Sequence, residues 1–471
     1  MSMIPLPGNT HTRMGEPTPE LWQQGQLIEV LITDLSDTGE GVGRLGGRVV
    51  FVPDTVTGDR VLVRLVKVKS NYSTGKLHQL LEKSPHRVRP NCIVADKCGG
   101  CQWQHIGDQY QQLTKHNLVV QALEHIGGFT SPPVAPILTP NSSLAYRNKV
   151  TYPLKRSATG QVQAGYYQKG SHQLINLNQC PVQDSRLNPL LAQIKQDIEK
   201  MGWSIYDENR HQGRLRHLSL RIGRRTGEML LTLIATDWKL QDLEVKAQEW
   251  LRSYPKLVGI CMNRNPNRTN AVFGEETRCV AGQPYLREEF AGLKFQLRSE
   301  TFFQVHTEAA EALLNVIVEQ LALQGDEVLV DAYCGIGTFT LPLAKRVRQA
   351  IGLEVQASSV EQAQVNAQLN AIANVTFQVG EVKTLLPQLG ITPDVVLLDP
   401  PRKGCEQTVI ETLLATSPSH LVYISCKPAT LARDLKLLCQ TGSYQLTHVQ
   451  PADFFPQTSH VECAAFLVRS N

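Results

Sequence analysis

The chain lacks any uninterrupted apolar run approaching the roughly 18 residues that a membrane-spanning helix needs, so no transmembrane segment is expected. Its first twenty residues, MSMIPLPGNTHTRMGEPTPE, lack a basic region followed by an apolar core. A secretory signal is therefore not expected, and a cytoplasmic location is. That stretch is rich in Pro, Gly and Thr and reads as a disordered tail over residues 1–20. There is no internal repeat, which excludes solenoids and propellers. Charge of one sign is not in large excess, since the net charge is only +4. Cysteine is the residue that is not scarce. Eleven are present, an odd number, and without a secretory signal they read as free or metal-bound rather than as a disulfide framework.

A length of 471 residues predicts two or three domains. Residues 21–83 read as short strands, with alternating apolar positions in VLVRLVKVK and turns at Gly39, Gly41, Gly43, Gly46 and Gly47. A segment of this length suits a small β-barrel. Between Arg60 and Arg89 eight Lys or Arg residues stand against the single acid Glu82, with Tyr72 among them. Such a stretch can neutralise phosphates and offer an aromatic platform to a nucleic acid, or it can be a charged edge strand. Residues 90–297 mix strand and helix signals and carry two more basic segments, Tyr146-Arg147-Asn148-Lys149 and Arg210–Arg225; the latter holds six arginines and no acid. Cationic segments far apart in sequence strengthen the nucleic-acid reading.

From Ser299 onward, strands alternate with helices: EVLVDAYCGIGTFTLPLA, QAIGLEVQASSVEQAQVNAQLN, DVVLLDPPRKG and HLVYISCKPATLARDLKLL. The pattern predicts a doubly wound α/β sheet over residues 299–471, with ligands beyond the carboxyl ends of its strands. In Asp331-Ala-Tyr-Cys-Gly335-Ile-Gly337-Thr338 the glycines allow a close backbone approach. The spacing is not the G-x-G-x-x-G of a pyrophosphate grip. Glu354 ends the next strand, 19 residues beyond Gly335, where an acid can bond ribose hydroxyls. With Asp399 at a third strand end, the set fits a nucleoside cofactor without phosphates, such as S-adenosylmethionine.

Cys92, Cys98 and Cys101 follow a C-x5-C-x2-C spacing, and Cys180 lies far downstream in NQCPV. Four thiolates can fill the corners of an iron–sulfur cluster or the tetrahedron of a structural zinc, although C-x5-C is wider than the usual zinc spacing. Cys426, in YISCKPATLARDL, ends a buried strand, where a cysteine can act as a nucleophile. Cys261, Cys279, Cys334, Cys405, Cys439 and Cys463 read as small buried hydrophobes.

LLDPPRKG, YISCKPATLARDL, SETFFQVH and the C-x5-C-x2-C set stand in one order along the chain. In this the chain resembles the RNA uracil-5-methyltransferase family, most closely the iron–sulfur-containing branch that methylates 23S ribosomal RNA. The resemblance covers nearly the whole length. It implies an OB-like TRAM β-barrel over residues 21–83, a central α+β iron–sulfur and RNA-binding domain over 90–297, and an S-adenosylmethionine-binding domain over 299–471. It also implies a [4Fe-4S] cluster on Cys92, Cys98, Cys101 and Cys180. Cys426 is the implied nucleophile and Glu462, in SHVECAAF, the proton-abstracting base; Gln304, Tyr333, Glu354 and Asp399 contact the cofactor, with Gly335, Gly337 and Thr338 in its turn. Arg402 is expected to polarise the uracil or hold phosphate. The sequence departs from the family at His306, where Asn is usual, and at Lys427, where Asn or Asp is usual. Lys427 is a candidate for lowering the pKa of Cys426. His306 and His460 have no role that the sequence assigns.

The expected partner is RNA, with 23S rRNA as substrate and transfer RNA as the second choice, and the expected state is a monomer. A radical S-adenosylmethionine enzyme would want C-x3-C-x2-C, and an exocyclic-amine methyltransferase an Asn-Pro-Pro-aromatic loop. Here the loop is Asp399-Pro400-Pro401-Arg402. A non-catalytic iron–sulfur RNA-binding or assembly factor would explain the basic segments but leave Cys426 and Glu462 coincidental.

Overall fold

The structure, a computed structural model, describes residues 22–139 and 141–470, and the tail expected over 1–20 lies outside them. The chain divides into two compact units, one running to Arg89 with His105–Gly107, the other comprising Pro90–Gln104 and everything from Asp108 on.

The first unit is a closed barrel. Its strands are β1 (Leu27–Leu35), β2 (Gly41–Leu45), β3 (Arg48–Val52), β4 (Arg60–Val68) and β5 (Tyr72–Glu82), in the order β1-β2-β3-β5-β4, with β4 returning to β1. The two-residue period puts Val61, Val63 and Leu65 inside with Ile28, Val30 and Ile32, while Arg60 and Arg64 face out. Closure brings backbones close. A Cβ at Gly43 would lie 2.1 Å from Val30, and one at Gly75 2.2 Å from Val63. Asp59 is fully buried below the barrel rim. Burial alone would raise its pKa, but the Arg87 guanidinium and the N–H groups of Ser84 and Val56 reverse this and hold it below the usual carboxylate value.

The second unit begins with α1 (Asp108–Ala122) and contains a mixed sheet. That sheet comprises β6 (Lys149–Arg156), β7 (Val162–Tyr167), β8 (Leu174–Asn176), β9 (Leu215–Ile222), β10 (Met229–Ala235), β11 (Leu257–Arg264) and β12 (Glu276–Gly282), ordered β12-β11-β10-β9-β6-β7-β8. Helices α2 (Asn188–Lys200) and α3 (Leu243–Ser253) bury Leu190, Ile194, Ala247 and Trp250 in one core with strand residues of that sheet. A hairpin, β13 (Tyr285–Phe290) and β14 (Leu293–Arg298), follows.

The rest of this unit is α4 (Thr307–Leu321), β15 (Val328–Ala332), α5 (Thr340–Ala344), β16 (Gln349–Glu354), α6 (Ala357–Leu369), β17 (Val375–Val379), α7 (Val382–Gln388), β18 (Val395–Leu398), α8 (Gln407–Thr416), β19 (His420–Ser425), α9 (Pro428–Cys439), β20 (Tyr444–Ala452) and β21 (Glu462–Arg469). The sheet order is β17-β16-β15-β18-β19-β21-β20. Strands β15 and β18 are buried throughout, as expected when both faces of a sheet are covered. Five strands run parallel, as the alternating pattern predicts. Strand β20 runs the same way, and only the last strand corrects the pattern: β21 lies antiparallel to β19 and β20, because no helix separates β20 from β21 to carry the chain back.

Candidate active site

The strand order reverses between β15 and β18, and ligands in such sheets bind beyond the carboxyl ends at that point. After β15 the chain turns sharply. Tyr333 takes a left-handed φ of 74°, and the N–H groups of Tyr333 and Cys334 both donate to the Leu353 carbonyl, at 2.9 and 3.0 Å. Gly335 and Gly337 also have positive φ, 55° and 83°. A Cβ on Gly335 would meet nothing within 4 Å, so open space lies over this turn, with Thr338 buried at its far end. Glu354 accepts from the Gly335 N–H at 3.1 Å and the Gln356 N–H at 2.8 Å, which fixes the carboxylate and leaves lone pairs for a ligand. Asp331, at the end of β15, accepts the Thr340 hydroxyl. Its burial, with Asp399 and Glu354 nearby, pushes it to about 8. Asp399 follows β18, and burial raises it to about 7. Open space, a fixed acid and three strand ends fit the nucleoside part of S-adenosylmethionine.

Cys426 follows β19 directly. Ser425 pairs with Cys463 in the β19–β21 ladder, so one further step of that register sets Cys426 opposite Glu462. The half-buried thiol is raised above its ordinary value, first by burial and then by Glu462 and Asp399; Arg402 hydrogen-bonds it and acts the other way. Burial also raises Glu462 well above the carboxylate range; Asp399 adds to this and Arg402 opposes it. One thiol, two carboxylates and one guanidinium thus meet at a single place. The cation beside the thiol is Arg402, whereas Lys427 is exposed at the start of α9.

The loops that bring these groups in are clamped by residues whose sequence suggested other uses. Gln304 lies in the turn between β14 and α4, and its carbonyl accepts from Asn148 Nδ2 at 2.9 Å. Lys149 Nζ donates to the Ser299 carbonyl at 2.7 Å, and Arg221 donates to the Arg298 and Thr301 carbonyls at 2.6 and 2.7 Å. Burial and the neighbouring Arg221 drop Lys149 to about 6. Arg224 meets Asp184 and Glu308, Arg225 meets Glu311, Arg214 meets Asp237, and Arg216 donates to the Asn265 and Asn267 carbonyls. Much of the basic stretch 210–225 is therefore spent on internal contacts rather than presented to phosphate. His306 caps α4, accepting from Ala309 N–H at 3.3 Å, and stacks on Tyr146 with centroids 4.8 Å apart.

The segment before Glu462 is held from α1. Buried Lys115 donates to Asp453 at 2.6 Å and to the Phe455 carbonyl at 3.0 Å. Gln111 accepts from Gln457 N–H at 3.0 Å, and Tyr146 donates to the Pro456 carbonyl at 3.1 Å. Nothing in the sequence marks these contacts, which join positions more than three hundred residues apart. His460, in the same segment, is held below its ordinary pKa by burial and by the charges of Arg402, Lys115 and Arg147.

Cys92, Cys98, Cys101 and Cys180 line one small cavity, about 20 Å³, with Val94, Tyr166 and Leu177. Among the described residues, no three His, Cys, Asp or Glu side chains are grouped to hold a single metal ion. The four thiols line that same cavity. Donors are aimed at the sulfurs: Gly100 N–H at 3.4 Å from Cys98 and Gln104 Nε2 at 3.6 Å from Cys101. The N–H groups of Val182 and Gln183 likewise reach Cys180. Burial raises Cys101 to about 12, and the neighbouring thiols add to it. Cys98, Cys101 and Cys180, all raised by burial, keep their protons unless a strongly cationic group replaces them. The donor set fits an iron–sulfur cluster. A larger cavity, about 590 Å³ beside Tyr167, Tyr206 and Arg216, shares no lining residue with either thiol site.

A doubly wound sheet with fixed acids at its switch point defines the class of S-adenosylmethionine-dependent methyltransferases. The model of the TRAM domain matches residues 21–78, and that of tRNA (uracil-5-)-methyltransferase matches 269–380 and 391–470. An RNA methyltransferase of Nostoc sp. is 70% identical, over 96% of this chain and 98% of its own, and one of Synechocystis sp. is 60% identical over 96% and 98%. The crystal structure of Pyrococcus abyssi tRNA (uracil-54, C5)-methyltransferase with S-adenosyl-L-homocysteine has a TM-score of 0.75 and 27% identity, covering 93% of this chain and 99% of that one. The chain belongs to the RNA uracil-5-methyltransferase family and is an S-adenosylmethionine-dependent enzyme with an N-terminal TRAM domain.

Proposed function

We propose that the protein methylates C5 of a specific uridine in 23S rRNA through a covalent bond between Cys426 and C6 of the base. The observation that carries the covalent route is the meeting of Cys426, Arg402, Asp399 and Glu462 at the end of β19. C5 of uracil is a weak nucleophile. The Cys426 thiolate adds to C6 and turns the ring into an enolate, a role that suits thiolate because it both attacks and leaves well. Arg402 stabilises the thiolate before attack. S-adenosylmethionine, when bound, supplies the methyl group that C5 takes. Glu462 then removes the C5 proton, the electrons return to the ring, the C6–S bond breaks and the thiolate is restored. Tyr333, Gly335, Gly337, Thr338, Glu354 and Asp399, with Gln304 from its clamped loop, hold the cofactor.

Cys92, Cys98, Cys101 and Cys180 hold a [4Fe-4S] cluster in this reading. The methyl transfer consumes no electrons, so the cluster shapes the region 90–297 rather than reacting. The barrel carries RNA contacts on its exposed Arg64, Lys67, Lys69, Lys76 and Lys83. The target uridine must leave its stack to reach Cys426. A transfer-RNA substrate is the second reading, favoured by the likeness to the Pyrococcus protein, a tRNA (uracil-54, C5)-methyltransferase.

The test is mass spectrometry of the protein mixed with S-adenosylmethionine and 5-fluorouracil-substituted RNA. Fluorine cannot leave as a proton does, so an adduct accumulates on Cys426 and is absent in Cys426→Ala. An adduct with transfer RNA but not 23S rRNA would change the substrate. No adduct with either, from cluster-intact protein, would favour a non-catalytic RNA-binding factor.

A further inference from the structure

Cys261 and Cys279 read as buried hydrophobes in the sequence, but Cys279 is exposed. It lies on β12, the edge strand of the central sheet, directly paired with Cys261 of β11. Cys261 is fully buried, packed in one core with Leu230, Leu286 and Phe290. Directly opposed residues on antiparallel strands project from the same face, with Cβ atoms about 4.5–5.5 Å apart. Opposed pairs have Cα separations of roughly 4.5–5.5 Å, inside the range a disulfide spans. The ladder is irregular here, since Ile260 pairs with Ala281 and Cys261 with Cys279, which leaves Val280 as a bulge that bends the edge strand.

The two side chains hydrogen-bond each other. Cys261 beside it holds Cys279 down to about 7, with help from the Ala281 N–H, while the Ala281 and Gly282 carbonyls, 3.6 and 3.4 Å from the same sulfur, accept its proton when it is present. Cys279 is the one exposed cysteine of the eleven. It therefore combines access, thiolate character and an adjacent second thiol, the three features of a redox-reactive cysteine.

We propose that Cys279 and Cys261 form a reversible oxidation site for peroxides, with Cys279 attacking and Cys261 resolving. The Cys279 thiolate attacks one peroxide oxygen; an S–O bond forms, the O–O bond breaks, the other oxygen leaves as hydroxide and takes a proton from solvent, and the sulfur becomes sulfenic acid. The Cys261 sulfur then attacks it; the S–S bond forms, the S–O bond breaks, and water leaves with the Cys261 proton. Two thiols lose two electrons to one peroxide, and a dithiol reverses the step by exchange. Cys261 also hydrogen-bonds Ser299, at the start of the loop bearing Gln304, so the bond would form against a segment clamped by Lys149.

The full-length protein is treated with hydrogen peroxide at neutral pH, alkylated, cut with trypsin without reduction and mapped by mass spectrometry. The expected product joins Leu257–Arg264 to Cys279–Arg287 with the loss of two hydrogens, and dithiothreitol separates the two peptides. In Cys261→Ala, Cys279 is instead trapped by dimedone as sulfenic acid; in Cys279→Ser, Cys261 stays reduced. A Cys279 that remains fully alkylatable, is linked to another cysteine, or is oxidised with no linkage to Cys261 in the unmutated protein overturns the proposal. The peptides are read individually, so neither cluster damage nor the substrate assignment affects the result.

Discussion

Cys426 stands beside a guanidinium and two carboxylates, whereas Cys92, Cys98, Cys101 and Cys180 stand beside one another. The first arrangement lets one sulfur exchange between thiol and thiolate, with Arg402 offsetting part of what burial imposes. In the second, burial and then the neighbouring thiols make ionisation of Cys98, Cys101 and Cys180 harder, so these stay protonated or serve as ligands of a polycationic group. A lone cysteine hydrogen-bonded to a cation is suited to chemistry, and a crowd of cysteines around one cavity is suited to holding something.

The sharpest way to break this contrast is Cys426→Ala, which should abolish methylation, a loss on the order of 10⁴-fold or more in kcat, while iron content and fold persist. An RNA methylation assay beside an iron determination decides it. Glu462→Gln should lower kcat by about 10²–10⁴-fold and let the enzyme–RNA adduct accumulate on denaturing gels; fast turnover without adduct would remove Glu462 from the chemistry. Cys101→Ser should do the reverse of Cys426→Ala. Iron should fall from about four atoms per chain towards none, with the thiol at 426 still open to alkylation. The finest test is pH. Cys426 and Glu462 must each lose a proton, and burial raises both, so kcat/KM should rise with pH through and above neutrality. Arg402 lowers both, so Arg402→Ala should move that rise to higher pH. An unmoved profile would mean that Arg402 does not tune the thiol.

The alternating pattern after Ser299, the barrel and the residues at strand ends were legible because each depends on local periodicity and on turns that need glycine. The reversed direction of β21 was not, since strand direction depends on a partner chosen elsewhere in the chain. The basic segments show the same limit. Lys149, Arg221 and Arg224 carry the same charge in sequence as Lys67 or Lys76, but burial against carbonyls and carboxylates makes them clamps. Charge can be read from a sequence, but its surroundings cannot. Lys115 is the extreme case. It sits mid-helix with nothing nearby to mark it, yet it ion-pairs Asp453 in the interior. Breaking that pair with Lys115→Met should cost about 3–5 kcal/mol of stability, measurable by denaturant titration.

Evolution can revise the segment between β20 and β21 more freely than the strand that follows it. Because Glu462 and Cys426 face each other through a continued ladder, their separation is set by β19 and β21, not by the length of chain that joins them. Residues can be added or removed around Gln457 at the cost of a few anchors. A slip of β21 by one residue would instead bring the thiol of Cys463 opposite Cys426 and send the carboxylate to the other side of the sheet. Descendants of this enzyme should vary in the length of that loop and keep the spacing from Glu462 to Arg469 unchanged.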